Sequence, residues 1–255
     1  MQDWAGCGAI VTGGASGLGA STARRLAEDG LKVTLFDMNA ELASEHAAAI
    51  GGTFAHVDVS DPASVAAGLD IAVAANGVPR VLVNCAGIGS AAKTVSRGVP
   101  HDPDMFDRTI RVNLIGSFNC ASQAAARMVA SDPVGADGGR GVIINTASVA
   151  AFDGQVGQLA YAASKGGIAS MTLPMARDLA NKGVRVCTVA PGLFMTPMLH
   201  GLPEEVQVSL GAQVPFPTRL GDPAEYAALV SHITRNSMLN GEVIRLDGAI
   251  RMAPR

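Results

Sequence analysis

The stretch "YAASKG" sets Tyr161 and Lys165 four residues apart in a chain with only two tyrosines. On a helix, residues at that spacing share a face. A lysine charge beside a phenol favours the phenolate and draws it from about pKa 10 towards neutrality. Tyr161 can then act as a general base for an alcohol, or as a general acid for a carbonyl. Thirteen residues earlier, Ser148 closes the run "INTAS". A serine at a strand end can face the same crevice as the following helix and hold the substrate oxygen. Asn113, in "IRVNLIG", can hold a water that connects Lys165 to solvent, or it can simply be a polar residue that bends its helix.

A second set of residues suits a phosphate-bearing cofactor. "AIVTGGASGLGA" runs from an apolar strand through Gly13, Gly14, Gly17 and Gly19 into a helical pattern. Glycines allow a tight turn and bring backbone N–H groups close to a diphosphate at a helix N-terminus. Eighteen residues beyond Gly19, "LFD" ends the second strand with Asp37. A carboxylate there accepts hydrogen bonds from ribose hydroxyls and repels a 2′-phosphate. No Arg or Lys lies in the glycine turn to receive one, so NAD rather than NADP is expected. Asp58, in "HVDVS", can bond an adenine amine or close an Asx turn. "NCAG" (84–87) can pass close under the ribose.

The elements that position these residues follow from the hydrophobic pattern. Apolar β-rich runs at 8–12, 32–37, 53–58, 80–85, 141–148, 184–191 and 241–247 read as strands. Ala-rich periodic segments at 17–29, 39–49, 61–75, 103–130, 157–181 and 222–235 read as helices. Continuous apolar strands separated by helices imply parallel strands with right-handed crossovers, hence an α/β doubly wound sheet. No linker divides residues 1–255, so one domain is expected, with a cofactor part at about 1–150 and a catalytic and substrate part at about 141–255. The proline-bearing segment 190–223 lacks a period and follows a strand, as a lid or substrate wall does.

Composition excludes several classes. Apolar residues make up 48% of the chain and aromatics 4%, so Ala, Val, Ile, Leu and 30 glycines carry the packing. A net charge of −3 gives no electrostatic case for nucleic acid or a membrane surface. Cys7, Cys85, Cys120 and Cys187 have no ligand spacing and the five histidines are scattered, so no metal site is expected. No apolar run reaches the ~18 residues of a membrane span. The first strand starts almost at once, which leaves no room for a targeting peptide and makes a cytoplasmic location the expectation.

In chain order, "TGGASGLG", Asp37, "NCAG", Asn113, Ser148, "YAASK" and "PG" (191–192) resemble the short-chain dehydrogenase/reductase superfamily. The resemblance implies a single-domain Rossmann fold with seven parallel strands in the order 3-2-1-4-5-6-7. It implies a catalytic set of Asn113, Ser148, Tyr161 and Lys165, with Lys165 also on the nicotinamide ribose. Backbone and side chains after Pro191, through Gly192 to Thr196, would meet the nicotinamide end.

Longer segments, among them "RGVIINTASVAAFDGQVGQLAYAASKGGI" and "QVPFPTRLGDPAEYA", are similar to the type-2 3-hydroxyacyl-CoA dehydrogenases, also described as type-10 17β-hydroxysteroid dehydrogenases. That similarity implies NAD-linked oxidation of short and branched (S)-3-hydroxyacyl-CoA, and a homotetramer; the resembled mitochondrial enzymes carry a presequence-like N-terminus, and the shorter start here fits a bacterial cytoplasmic version. The similarity adds Ser16, Leu18, Val59, Cys85, Ala86, Gly87 and Phe194 to Gly13, Gly17, Gly19, Asp37 and Asp58 as cofactor contacts, and gives Gln155 and Gln158 to the acyl pocket. Other readings stay open: a hydroxysteroid or other secondary-alcohol dehydrogenase, a 3-oxoacyl-carrier-protein reductase, or a non-catalytic scaffold.

Overall fold

The computed structural model describes residues 2–201 and 203–254. Its frame is one seven-stranded parallel sheet. The strands are β1 (Gly8–Thr12), β2 (Lys32–Asp37), β3 (Thr53–His56), β4 (Pro79–Asn84), β7 (Gly141–Thr146), β8 (Val184–Pro191) and β9 (Val243–Leu246). A two-stranded hairpin, β5 (Val95–Ser96) and β6 (Val99–Pro100), stands apart from it. The sheet order is β3-β2-β1-β4-β7-β8-β9, which is 3-2-1-4-5-6-7 once the hairpin is set aside. The chain therefore leaves β1 towards β2 and β3, then returns to place β4 on the other side of β1. A crevice opens at that reversal, at the carboxyl ends of the strands.

Strand periodicity sorts the core onto the two faces of the sheet. Val11, Val83 and Ile144 pack on one side with Leu26 of α1 (Gly17–Glu28) and with Tyr226, Val230 and Ile233 of α9 (Pro223–Arg235). Their chain neighbours Ile10, Leu82 and Ile143 pack on the other side. There they meet Leu69 of α3 (Pro62–Asn76) and Cys120, Ala124 and Met128 of α5 (Gly116–Val129). Small residues on α5 let it lie close to the sheet. Helix starts are fixed by side-chain caps. Asn39 caps α2 (Ala40–Ala49), Asp61 caps α3, and Asp222 forms a capping box with Glu225 on α9.

The structure departs from the sequence reading in three places. The single helix expected over 103–130 is α4 (Pro103–Ile110), a π-helical turn (Arg111–Ile115) and α5. The irregular segment after β8 holds two short helices, α7 (Pro197–His200) and α8 (Glu204–Gly211); Leu202 of the expected lid lies outside the described residues. β7 ends at Thr146, so Ser148 lies beyond the strand, just before a 3-10 turn at Val149–Ala151. Helix α6 (Leu159–Ala180) matches its expected span closely. Among the described residues, no helix is long and apolar enough to cross a membrane.

Candidate active site

The glycine turn after β1 closes on itself so tightly that side chains do not fit. Gly13 and Gly17 have φ of +63° and +53°. A Cβ added at Gly19 would lie 2.1 Å from the Gly13 carbonyl oxygen, and one at Gly13 would lie 2.8 Å from the Ala86 nitrogen. The turn leads into the N-terminus of α1, whose N-cap Ser16 makes no side-chain cap. Free N–H groups with the positive end of the helix dipole form a seat for an anion. The backbone therefore fits a dinucleotide diphosphate.

A cavity of about 800 Å³ extends from this turn and is lined by Gly17, Asp37, Asp58, Val59 and Ala86 among others. The Asp37 carboxylate is held at its mouth, accepting from the Ala15 and Asn39 N–H groups at 3.0 and 2.9 Å. Asp58 closes an Asx turn, accepting from the N–H and hydroxyl of Ser60, and still faces the cavity. Both roles considered for Asp58 are thus open to it. Thr12 Oγ1 accepts from the N–H groups of Cys85 and Ala86, both at 3.1 Å, and so pins the "NCAG" backbone to the end of β1. Arg108 and Arg111 also reach this cavity. Sequence reading missed them because a helical pattern does not mark which side of residues 103–115 meets the cavity.

A second cavity, of about 530 Å³, adjoins the first; Leu18, Cys85, Gly87 and Thr196 line both. Ser148, Gln158, Tyr161, Lys165, Phe194 and Met252 face it, and Pro191 and Gly192 contribute at the end of β8. Ser148 is oriented by its own cap, its Oγ accepting from the Ala150 N–H at 3.1 Å. Lys165 is 5% exposed, lies 5.7 Å from the centre of the Tyr161 ring and donates to the Thr146 carbonyl at 2.8 Å.

Burial works against the expected tuning of the tyrosine. In the chain alone, desolvation raises the Tyr161 phenol above its ordinary value, with the Ser148 hydroxyl pulling the other way. The lysine shifts instead: loss of solvent lowers its ammonium to about 8. Taking each group out of water disfavours its charged form.

Asn113 sits in the π turn, fully buried, and clamps Ile88: its Oδ1 accepts from the Ile88 N–H at 2.8 Å while its Nδ2 donates to the Ile88 carbonyl at 3.0 Å. The second Nδ2 hydrogen goes to Ser164 Oγ, which donates to the Tyr161 carbonyl. Asn113 therefore braces the tyrosine helix, and both hydrogens of its amide are already taken. It is close to Lys165: a Cβ at Gly87 would lie 3.2 Å from Asn113 Oδ1 and 3.6 Å from Lys165 Nζ.

Gln155 is a correction. Gln158 lines the second cavity and Gln155 does not: its Nε2 donates to the Ala253 carbonyl at 2.9 Å, and its Oε1 accepts from Gln158 Nε2 at 3.5 Å. Thr146, Tyr226, Leu199 and Met252 were not foreseen. Only Tyr226 carried a sequence signal, as the second of two tyrosines. Among the described residues, no group of three or more His, Cys, Asp or Glu is placed to hold a metal.

The family model described as short chain dehydrogenase matches residues 8–207. A 3-hydroxyacyl-CoA dehydrogenase type-2 of Bos taurus is 55% identical over 250 residues, covering 96% of this chain and 95% of the relative. One of the same name from Drosophila melanogaster is 51% identical over 249 residues, covering 96% and 97%. The crystal structure of a 3-hydroxyacyl-CoA dehydrogenase type-2 from Mycobacterium avium superposes with a TM-score of 0.93 at 42% identity, covering 98% of both chains. The chain belongs to the short-chain dehydrogenase family of NAD(P)-dependent oxidoreductases.

Proposed function

We propose that this enzyme uses NAD to interconvert short or branched (S)-3-hydroxyacyl-CoA and 3-oxoacyl-CoA. The observation that carries the reading is the meeting of Ser148, Tyr161 and Lys165 in a cavity continuous with the glycine-lined one, in a chain more than half identical to mammalian and insect enzymes of that name. The whole chain works as one domain around one sheet, its first half seating the cofactor and its second half the substrate.

When bound, the nicotinamide supplies the hydride chemistry. Gly13, Ser16, Gly17, Leu18 and Gly19 seat the diphosphate. Asp37 accepts from the ribose hydroxyls and disfavours a 2′-phosphate, which supports NAD over NADP. Asp58 and Val59 flank the adenine. Cys85, Ala86, Gly87, Pro191, Gly192, Phe194 and Thr196 wall the nicotinamide end.

In the reducing direction, Ser148 and Tyr161 donate hydrogen bonds to the C3 carbonyl oxygen. Negative charge grows on that oxygen and the same two hydroxyls stabilise it. Tyr161 then gives up its proton to form the C3 hydroxyl. Its raised affinity for that proton keeps the phenol loaded at neutral pH. The Lys165 ammonium stabilises the phenolate left behind, and Asn113 keeps the helix carrying both groups in register. In the oxidising direction the phenolate takes the proton back. Residues 193–201 carry Phe194, Thr196 and Leu199 against the cavity and restrict water there.

The exposed apolar side chains of Ile115 and Phe118 on one helical arm, and of Leu159 and Leu173 on α6, support contacts between copies in a homotetramer. Four unpaired cysteines support a reducing compartment, the cytoplasm. The test is oxidation of NADH, followed by its absorbance, with acetoacetyl-CoA and then with NADPH in its place. Turnover with NADH alone is expected. NADH binding without thioester turnover would overturn the substrate assignment.

A further inference from the structure

Residues 250–254 are held in place by contacts outside the set of Ser148, Tyr161 and Lys165. The Val156 N–H donates to the Pro254 carbonyl at 3.0 Å, and Gln155 Nε2 donates to the Ala253 carbonyl at 2.9 Å. Just before them, the Ile250 carbonyl accepts from Arg245 at 2.9 Å and from Arg251 at 2.7 Å. Arg245 also pairs with Asp153 and Asp247, both at 2.7 Å, and its guanidinium lies over the Phe152 ring at 5.3 Å. Ile250 is 1% exposed and anchors the tail in the core.

Met252 lies between these two anchor points. It is held from Ile250 on one side and from Ala253 and Pro254 on the other, and it faces the cavity that holds Ser148 and Tyr161. The loop that grips the tail, 152–156, runs directly into Gln158 and the start of α6. The tail and the catalytic helix are therefore braced against each other. A methionine offers an unbranched, polarisable arm that settles against varied apolar shapes.

We propose that the strapped C-terminal tail is the substrate wall of this enzyme, and that Met252 sets the size of the acyl group accepted. The proposal rests on the acyl-CoA reading above and deepens it. Gln155, expected from the sequence to touch the acyl chain, acts on it instead by holding the tail. Met252 is a specificity-determining residue under this proposal. Gln155 is a positioning residue.

The experiment compares the wild type with Met252→Ala, Met252→Phe and Gln155→Ala in full-length protein. The readout is the ratio of kcat/KM for a longer 3-oxoacyl-CoA to that for acetoacetyl-CoA, with NADH. A graded series of simple ketones, run on the same proteins, reads the wall without the thioester. Removing a side chain's worth of apolar contact shifts such ratios by about tenfold or more. Met252→Ala is expected to raise the ratio by about that factor and Met252→Phe to lower it, with Gln155→Ala moving as Met252→Ala does but less. A ratio that stays put, or moves the same way in both Met252 variants, overturns the wall. A wild type that reduces the ketones but no thioester overturns the reaction assignment while the ketone ratios still decide the wall. A wild type that reduces neither overturns both.

Discussion

The Tyr226 hydroxyl lies 2.7 Å from Thr146 Oγ1, and the carbonyl of that same threonine receives the Lys165 ammonium at 2.8 Å. Thr146 also donates to Cys85 Sγ at 3.6 Å, which ties the end of β7 to the end of β4 beneath the shared wall of the two cavities. The chain's two tyrosines thus approach one lysine, Tyr161 directly and Tyr226 through a threonine. Tyr226 is 0% exposed and packs from α9 into the core. Tyr226→Phe leaves the Thr146 hydroxyl without its donor. Unfolding in urea should show a loss of about 1–2 kcal/mol, the usual cost of a broken buried pair. An unchanged midpoint would mean that the hydroxyls do not stabilise the folded chain.

Lys165 is the group whose titration departs most informatively from ordinary values. Burial lowers it from 10.5 to about 8. The folded chain therefore holds that proton less tightly than the unfolded chain does. Between about pH 8 and 10.5, stability gains from this group as pH rises, because the folded state sheds a poorly solvated charge first. Lysine side-chain NMR on the cofactor-free protein should find Lys165 titrating near 8. Lys165→Met removes the buried charge, so its stability relative to wild type should be greatest below pH 8 and shrink above it. A Lys165 midpoint near 10.5 would contradict both statements.

The proton that Tyr161 gives in one direction and takes in the other sets opposite pH slopes for the two. Tyr161 holds its proton more firmly than an ordinary tyrosine, because burial raises it. Ketone reduction uses the protonated phenol, so its rate should hold through neutral pH and fall in base. Alcohol oxidation uses the phenolate and should rise across the same range. Rates measured in both directions on one enzyme check this; parallel slopes would remove Tyr161 from the proton step.

In the proposed function Asp37 selects NAD over NADP by charge. Its carboxylate is fixed by two backbone N–H groups, so Asp37→Ala loosens the glycine turn as well as removing the charge. Asp37→Asn removes the charge and keeps an acceptor. Both variants should raise the NADPH-to-NADH ratio of kcat/KM by about tenfold or more, the worth of a charge-assisted hydrogen bond. An unchanged ratio in both would refute the ribose contact.

Much of this architecture was legible in the sequence for definite reasons. A strand buried on both faces must be an unbroken apolar run, so "GAIVT", "RVLVN" and "GVIIN" declared a parallel sheet. Gly13 and Gly19 declared a turn in which a Cβ does not fit. Tyr161 and Lys165 share a face once the segment is an α-helix. The rest depends on tertiary packing that local patterns do not encode. The π turn at Arg111–Ile115 adds one residue per turn without changing the apolar spacing enough to read. Gln155 turns to the tail because residues nearly a hundred positions later supply the acceptor. The raised phenol follows from burial that only the assembled cavity creates.

The most direct test of the central claim is Tyr161→Phe, assayed for acetoacetyl-CoA reduction alongside NADH affinity by fluorescence titration. The phenyl ring keeps the packing on α6 and loses only the hydroxyl. The account predicts a fall in kcat of about 10²–10⁴-fold, the usual worth of a positioned acid, with NADH bound nearly as tightly as by the wild type. A variant that still turns over within a few fold of wild type, or one that loses NADH binding as completely as activity, would contradict it.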